Sequence, residues 1–169
     1  MAGVLLSGPV IRRARADESE ACADLLWRVR QQNLGSIPEG RHPLDEVRAW
    51  MRDVVMTQQE VWVAERDGSL VAALVLGRPD WIEHLSIEAS ATGRGLGARF
   101  VELARAELPG PIQPWTFQSN LGARRFYERH GFEAVEWSDG DNEEGAPDVR
   151  YVDTARRASV GRGCQGTSK

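Results

Sequence analysis

The spacing of apolar residues switches repeatedly along the chain between the period of a strand and that of a helix. Val10 to Arg15 predicts a short strand. Behind Asp17 and an acidic first turn, Cys22, Leu25, Leu26 and Val29 recur at i, i+3, i+4 and i+7, the stripe of an amphipathic helix. Gly35, Pro38, Gly40 and Pro43 break the pattern and predict a loop over Asn33 to Pro43. Val47, Trp50, Met51, Val54 and Val55 then mark a second helix. VWVAE (61 to 65) and LVAALVL (70 to 76) flank an Asp67-Gly68 pair, the signature of a tight turn in an antiparallel hairpin.

A third strand, WIEHLSI (81 to 87), runs into SATGRGLG (90 to 97), and Leu96, Phe100, Leu103 and Ala104 return to helical spacing as far as Pro109. A strand over 112 to 117 follows, then a helix over 120 to 130 stopped by Gly131. Strands at 132 to 137 and 149 to 152 close the chain around the acidic loop SDGDNEEGAPD. The predicted order is β α α β β β α β α β β. This is an α/β (α+β) single domain, a mostly antiparallel sheet of six or seven strands flanked by four helices, with a parallel βαβ unit near its centre. The expected organisation is a flexible N-terminus over 1 to 9, one domain over 10 to 153, and a disordered basic tail over 154 to 169.

Charge sharpens this picture. The formal net charge is −4, but the tail holds three Arg and one Lys with no acid, so the rest of the chain carries −8. An acidic body argues against nucleic acid and anionic membranes as partners and suits a cationic substrate. Two cysteines, Cys22 and Cys164, suggest neither a disulfide framework nor a thiolate metal site, so no metal is expected. The opening apolar run is too short for a signal peptide and no later run is long enough to span a membrane, which predicts a soluble, cytoplasmic protein.

The glycine segment carries the candidate chemistry. Glycines before a helix let backbone N–H groups converge on an anion without side chains in the way, and the helix N-terminus adds partial positive charge. The alternative is a flexible turn. A nucleotide P-loop would need Gly-Lys-Ser/Thr, which is missing. Gly93, Gly95 and Ala98 satisfy the dinucleotide pattern G-x-G-x-x-A, yet no acid for a ribose stands about 20 residues on.

The third phosphate reading is coenzyme A. LSIEASATGRGLGA and NLGARRFYERHGF resemble, in order, the two signature motifs of the GNAT superfamily of acetyl-CoA-dependent N-acetyltransferases. Thr92 stands where the family usually has Gln or Arg, and Ala89 where Pro is frequent. The resemblance spans about Val10 to Val152 and implies acetyl transfer from acetyl-CoA to an amine, in a monomer or homodimer. It implies that the backbone of Leu85, Ser86 and Ile87 faces the pantetheine arm and that Gly93, Arg94, Gly95, Leu96, Gly97 and Ala98 hold the pyrophosphate. Asn120 would contact the pantetheine, with Ala123 and Phe126 beside it. A non-catalytic CoA-binding accessory protein of the same fold is the alternative.

Acetyl transfer to an amine calls for a base, a polarised carbonyl and a proton for the departing thiolate. Tyr127 occupies the family's usual acid position. Glu83 shares strand parity with Leu85 and Ile87 and is expected to point toward the thioester as base. Trp115 stands where some relatives keep Glu. His84 is expected on the opposite face, outside the chemistry. Asp139, Asp141, Glu143, Glu144 and Asp148 crowd one loop, whose repulsion a cation would relieve and whose plainer reading is a solvated surface. Segment 34 to 44 corresponds to the family's acceptor-lining region.

Overall fold

A computed structural model describes residues 8 to 155, so the expectations for the flexible start and nearly all of the basic tail, including Cys164, lie outside it. Seven strands form one sheet in the order β1-β2-β3-β4-β5-β7-β6. They are β1 (Val10–Arg13), β2 (Glu60–Arg66), β3 (Ser69–Gly77), β4 (Trp81–Ile87), β5 (Gln113–Phe117), β6 (Phe132–Ser138) and β7 (Asp148–Asp153). Every neighbouring pair is antiparallel except β4 with β5, the parallel pair that the strand-loop-helix-strand order predicts. In the β2–β3 turn, Asp67 and Gly68 both take positive φ (53° and 76°), the backbone twist a two-residue hairpin requires.

Each sheet face buries its own helices. On one face α1 (Ser19–Gln32) sets Cys22, Ala23, Leu25 and Val29 against Val61, Val63, Ala73 and Val75. The second predicted helix is composite: α2 (Leu44–Trp50), a π turn (Met51–Val55) and α3 (Met56–Gln58). Its Met51 and Val55 are fully buried on the same face, whereas Trp50 and Val54, expected in the stripe, stay about a third exposed. On the other face α4 (Leu96–Glu107) buries Leu96, Phe100, Val101 and Ala104 against Ala72, Leu74, Leu76 and Ile82. Tyr127, from α5 (Leu121–Arg129), joins this second core.

Two irregularities in the middle of the sheet position everything that follows. Against β3, His84 pairs with Val75 but Ile82 pairs with Leu76, which leaves Glu83 as an extra, bulged residue of β4. Against β5, β4 pairs only at Trp81 with Gln113 and Ile82 with Pro114; beyond them no ladder continues. Pro114 brings no N–H to that ladder. The two parallel strands therefore part at their C-terminal ends and leave the edge of residues 83 to 87 unpaired on the β5 side.

A candidate acyl-CoA and amine site

A cavity of about 1040 Å³ opens where β4 and β5 part. Leu85, Ser86, Ile87, Asn120, Ala123 and Phe126 line it, as do Glu83, His84 and Tyr127. The structure thus gathers these predicted residues around one space, with Thr92 at its edge. Gly93 to Ala98 are not among its lining residues and follow on directly from Thr92.

The three glycines that alternate in the loop serve two physical ends. Gly93 (φ 73°) and Gly95 (φ 79°) adopt left-handed backbone with open space where a Cβ would sit, so conformation demands glycine there. Gly97 instead permits close approach: a Cβ would lie 2.7 Å from a ring carbon of Phe126 and 3.3 Å from Ile87. Gly95 is the N-cap of α4 and supplies no capping side chain, so the first-turn N–H groups remain open to an anion. The Leu96 side chain is buried in the core, so only its backbone is available to a ligand. Thr92 donates its hydroxyl to the Ala89 carbonyl at 2.9 Å and closes the short turn over Ala89–Ala91, a local role for the residue that departs from the family pattern. Asn120 uses its side-chain oxygen to cap α5, accepting from the Ala123 N–H at 3.1 Å.

The bulge overturns the parity expected for Glu83. Ile82, not Glu83, faces the α4 core together with Leu85 and Ile87. A Cβ on Gly77 would collide with the Glu83 carboxyl, and Gly77 shares the parity of Ala73 and Val75, which pack on the α1 face. Glu83 therefore shares the α1 side of the sheet with His84, in the cavity but across the sheet from its expected place. Burial of its surroundings raises its pKa, and no basic side chain pairs with it among the described residues.

His84, set aside on sequence grounds, is a cavity residue. Its ring meets Trp50 edge-on at 5.5 Å and forms no hydrogen bond among the described residues; burial, with Arg30 nearby, lowers its pKa to about 4. It is a neutral imidazole. No pattern within β4 announced this placement, since Gly77, which makes room for Glu83, closes β3 rather than lying in its interior.

Tyr127 sits among Phe126, Phe132 and Tyr151, with ring centroids 5.3 to 5.8 Å away. Burial raises its pKa well above the ordinary phenol value. The neighbouring Tyr151 hydroxyl donates to Glu128 at 2.8 Å, but that of Tyr127 has no protein partner among the described residues.

A match to the family model for the acetyltransferase (GNAT) domain covers residues 57–134, from the end of α3 through both motifs to β6. These residues carry the match to the GNAT acetyltransferase domain. The GNAT fold extends over most of the chain. The apo form of YjaB from Escherichia coli superposes with a TM-score of 0.69 at 21% identity, covering 87% of this chain and 98% of that one. A ribosomal-protein-alanine N-acetyltransferase from Brucella melitensis gives 0.64 at 19%, covering 85% and 98%. The yncA protein of Salmonella typhimurium, solved with its cofactor acetyl-CoA, gives 0.62 at 17%, covering 86% and 92%. No curated protein matches the chain.

The acidic loop finds partners within the chain. His42 lies between Glu46, 2.7 Å away, and Glu143, and both contacts raise its pKa. Arg30 binds Glu144 at 2.8 Å and the Pro38 carbonyl at 3.2 Å, and Ser119 donates to the Ser36 carbonyl at 2.7 Å. Segment 34 to 44 is thereby tied to the β6–β7 loop and to the approach to α5. Among the described residues no group of His, Cys, Asp and Glu is arranged to hold a metal, and no helix is long and apolar enough to cross a membrane.

Proposed function

We propose that this protein transfers the acetyl group of acetyl-CoA to a primary amine, of a small molecule or of a peptide or protein, by direct attack in a ternary complex. The observation that carries the proposal is the parting of β4 and β5 beside unpartnered Glu83 and Tyr127. The N–H groups of Gly93 to Ala98 hold the pyrophosphate, and the free edge of Leu85, Ser86 and Ile87 takes the amide-rich pantetheine arm as a further strand would be taken. Ala123 and Phe126 pack beside that arm.

The amine enters from the α1 side. Glu83 takes the amine proton, directly or through water, as the nitrogen lone pair attacks the thioester carbon and the C–S bond breaks. Its raised pKa brings it closer to the amine's own. Tyr127 remains a phenol at any working pH. Its pKa lies above that of a Cys-like thiol, about 8.5, so full proton transfer to the thiolate is uphill and its role is to donate a hydrogen bond to the departing sulfur.

A thiol-release assay across an amine panel, run beside calorimetry with acetyl-CoA, tests the reading. Binding together with amine-dependent CoA release supports it. Binding without release from any amine overturns it in favour of an accessory CoA-binding protein.

A further inference from the structure

The amine side of the cavity has a composition of its own. Three tryptophans are exposed by more than a third among the described residues; Trp50 (37%) and Trp115 (38%) line this space, whereas Trp137 (55%) lies outside it under Arg124. Trp27, Ile37 and Phe117 line it too. Uncovered aromatic surface is costly in water and binds flat apolar groups or cations well.

The charges are equally selective. Arg30 is paired with Glu144, His42 lies between the carboxylates of Glu46 and Glu143, and Arg41 also lines the space. Asp148 has one carboxyl oxygen sealed from solvent without a partner. Among the described residues Glu83 is left as the lining carboxylate that pairs with no base and has no oxygen sealed from solvent, which places it to receive an ammonium group. His84 faces the space as a neutral ring able to donate one hydrogen bond and accept another. It adds no positive charge to repel an amine.

The rim decides between a compact molecule and a polypeptide. The ties from His42 to Glu143, Arg30 to Glu144 and Ser119 to Ser36 join loops that line the cavity. A rim joined in this way suits a compact amine and leaves poor passage for a threaded peptide.

We infer that the acceptor is a small amine carrying an aromatic body, its ring against Trp50 and Trp115 and its nitrogen at Glu83. This rests on the acetyl-transfer reading above and narrows it. Trp50 is the specificity-determining residue, held edge-on by His84 just before the π turn.

The experiment has two readouts. Thiol release is followed with phenethylamine, n-butylamine, spermidine and a short peptide with a free N-terminus. Separately, phenethylamine is titrated calorimetrically into the protein saturated with CoA, which reports the amine site whether or not turnover occurs. The expected result is a kcat/KM for phenethylamine at least about tenfold above the other three, the scale of one good aromatic contact. Trp50→Ala should collapse that ratio and Trp50→Phe restore most of it, with Trp115→Ala as a second probe should the first fail to fold. Equal or better turnover of spermidine or the peptide, or a ratio untouched by both Ala variants, overturns the inference and leaves acetyl transfer standing. Absence of phenethylamine binding to the CoA complex also overturns it. Release of CoA from no amine, with phenethylamine bound, counts against acetyl transfer and supports the aromatic site.

Discussion

Two polar regions of this protein differ in what is done with charge. At the β1 end of the sheet, Arg12 donates to Glu18 at 2.8 and 2.7 Å and to Glu65 at 3.1 and 2.6 Å, and Glu18 also accepts from the Arg15 N–H at 2.8 Å. The Glu18 pKa falls to about 2, chiefly through Arg12. In the cavity the opposite holds: Glu83, His84 and Tyr127 have no hydrogen-bonding side-chain partner among the described residues, and burial moves each pKa toward the neutral form. Paired charge contributes to stability. Unpaired polar groups lining a cavity are instead free to meet a ligand.

The comparison can be broken most forcefully at the glycine loop. Gly95→Glu places a carboxylate where the pyrophosphate is proposed to lie and should weaken acetyl-CoA binding by more than about 100-fold in calorimetry. Gly95→Ala carries the same left-handed strain, about 1–2 kcal/mol, without the charge. Equal losses in both would move the anion site elsewhere.

Glu83→Gln should lower kcat/KM by about 100-fold near neutral pH, the usual yield of a positioned base. Because the base acts only when ionised and its pKa is raised, the wild-type rate should fall as pH drops through that raised value. The gap between variant and wild type should close at high pH, where the amine arrives neutral. A gap constant with pH would mean that Glu83 is not the base.

Tyr127→Phe should reduce kcat by about tenfold, the share of one hydrogen bond to developing charge. It should shift thermal stability by less than about 1 kcal/mol, since the hydroxyl has no protein partner to lose. A stability loss without a rate loss would make it a core tyrosine only.

Glu18→Gln marks the other end of the comparison. It should leave acetyl transfer unchanged and cost about 1–3 kcal/mol of stability at neutral pH. The Glu18 contribution is fully present above its unfolded value near 4.5 and is lost as pH falls toward about 2. Chemical denaturation at pH 7 and pH 3 should show the variant's deficit shrinking in acid.

Much of this protein was legible along the chain. Periodicity placed the strands and helical bodies because side-chain direction follows backbone geometry over a few residues. The glycine loop, the Asp67-Gly68 turn and the two motifs are local in the same sense, and they brought the family resemblance with them. Glu83 shows where that reach ends. Counting in twos assigned it to the face of Leu85 and Ile87, but a bulge resets the count, and its presence depends on how β4 pairs with β3. Gly77, which gives the Glu83 side chain room, belongs to a different strand.

By itself, then, the sequence determined the order of elements, the parallel unit and the glycine pattern of residues 93 to 97 at the start of α4. Only the tertiary structure decided which face Glu83 and His84 share, that Gly97 is demanded by Phe126 rather than by φ, and that the acidic loop is pinned by His42 and Arg30. The physical reason is range. Turn chemistry and periodicity act between near neighbours, whereas a residue's final partner in these cases stands on another strand, helix or loop, and packing selects it.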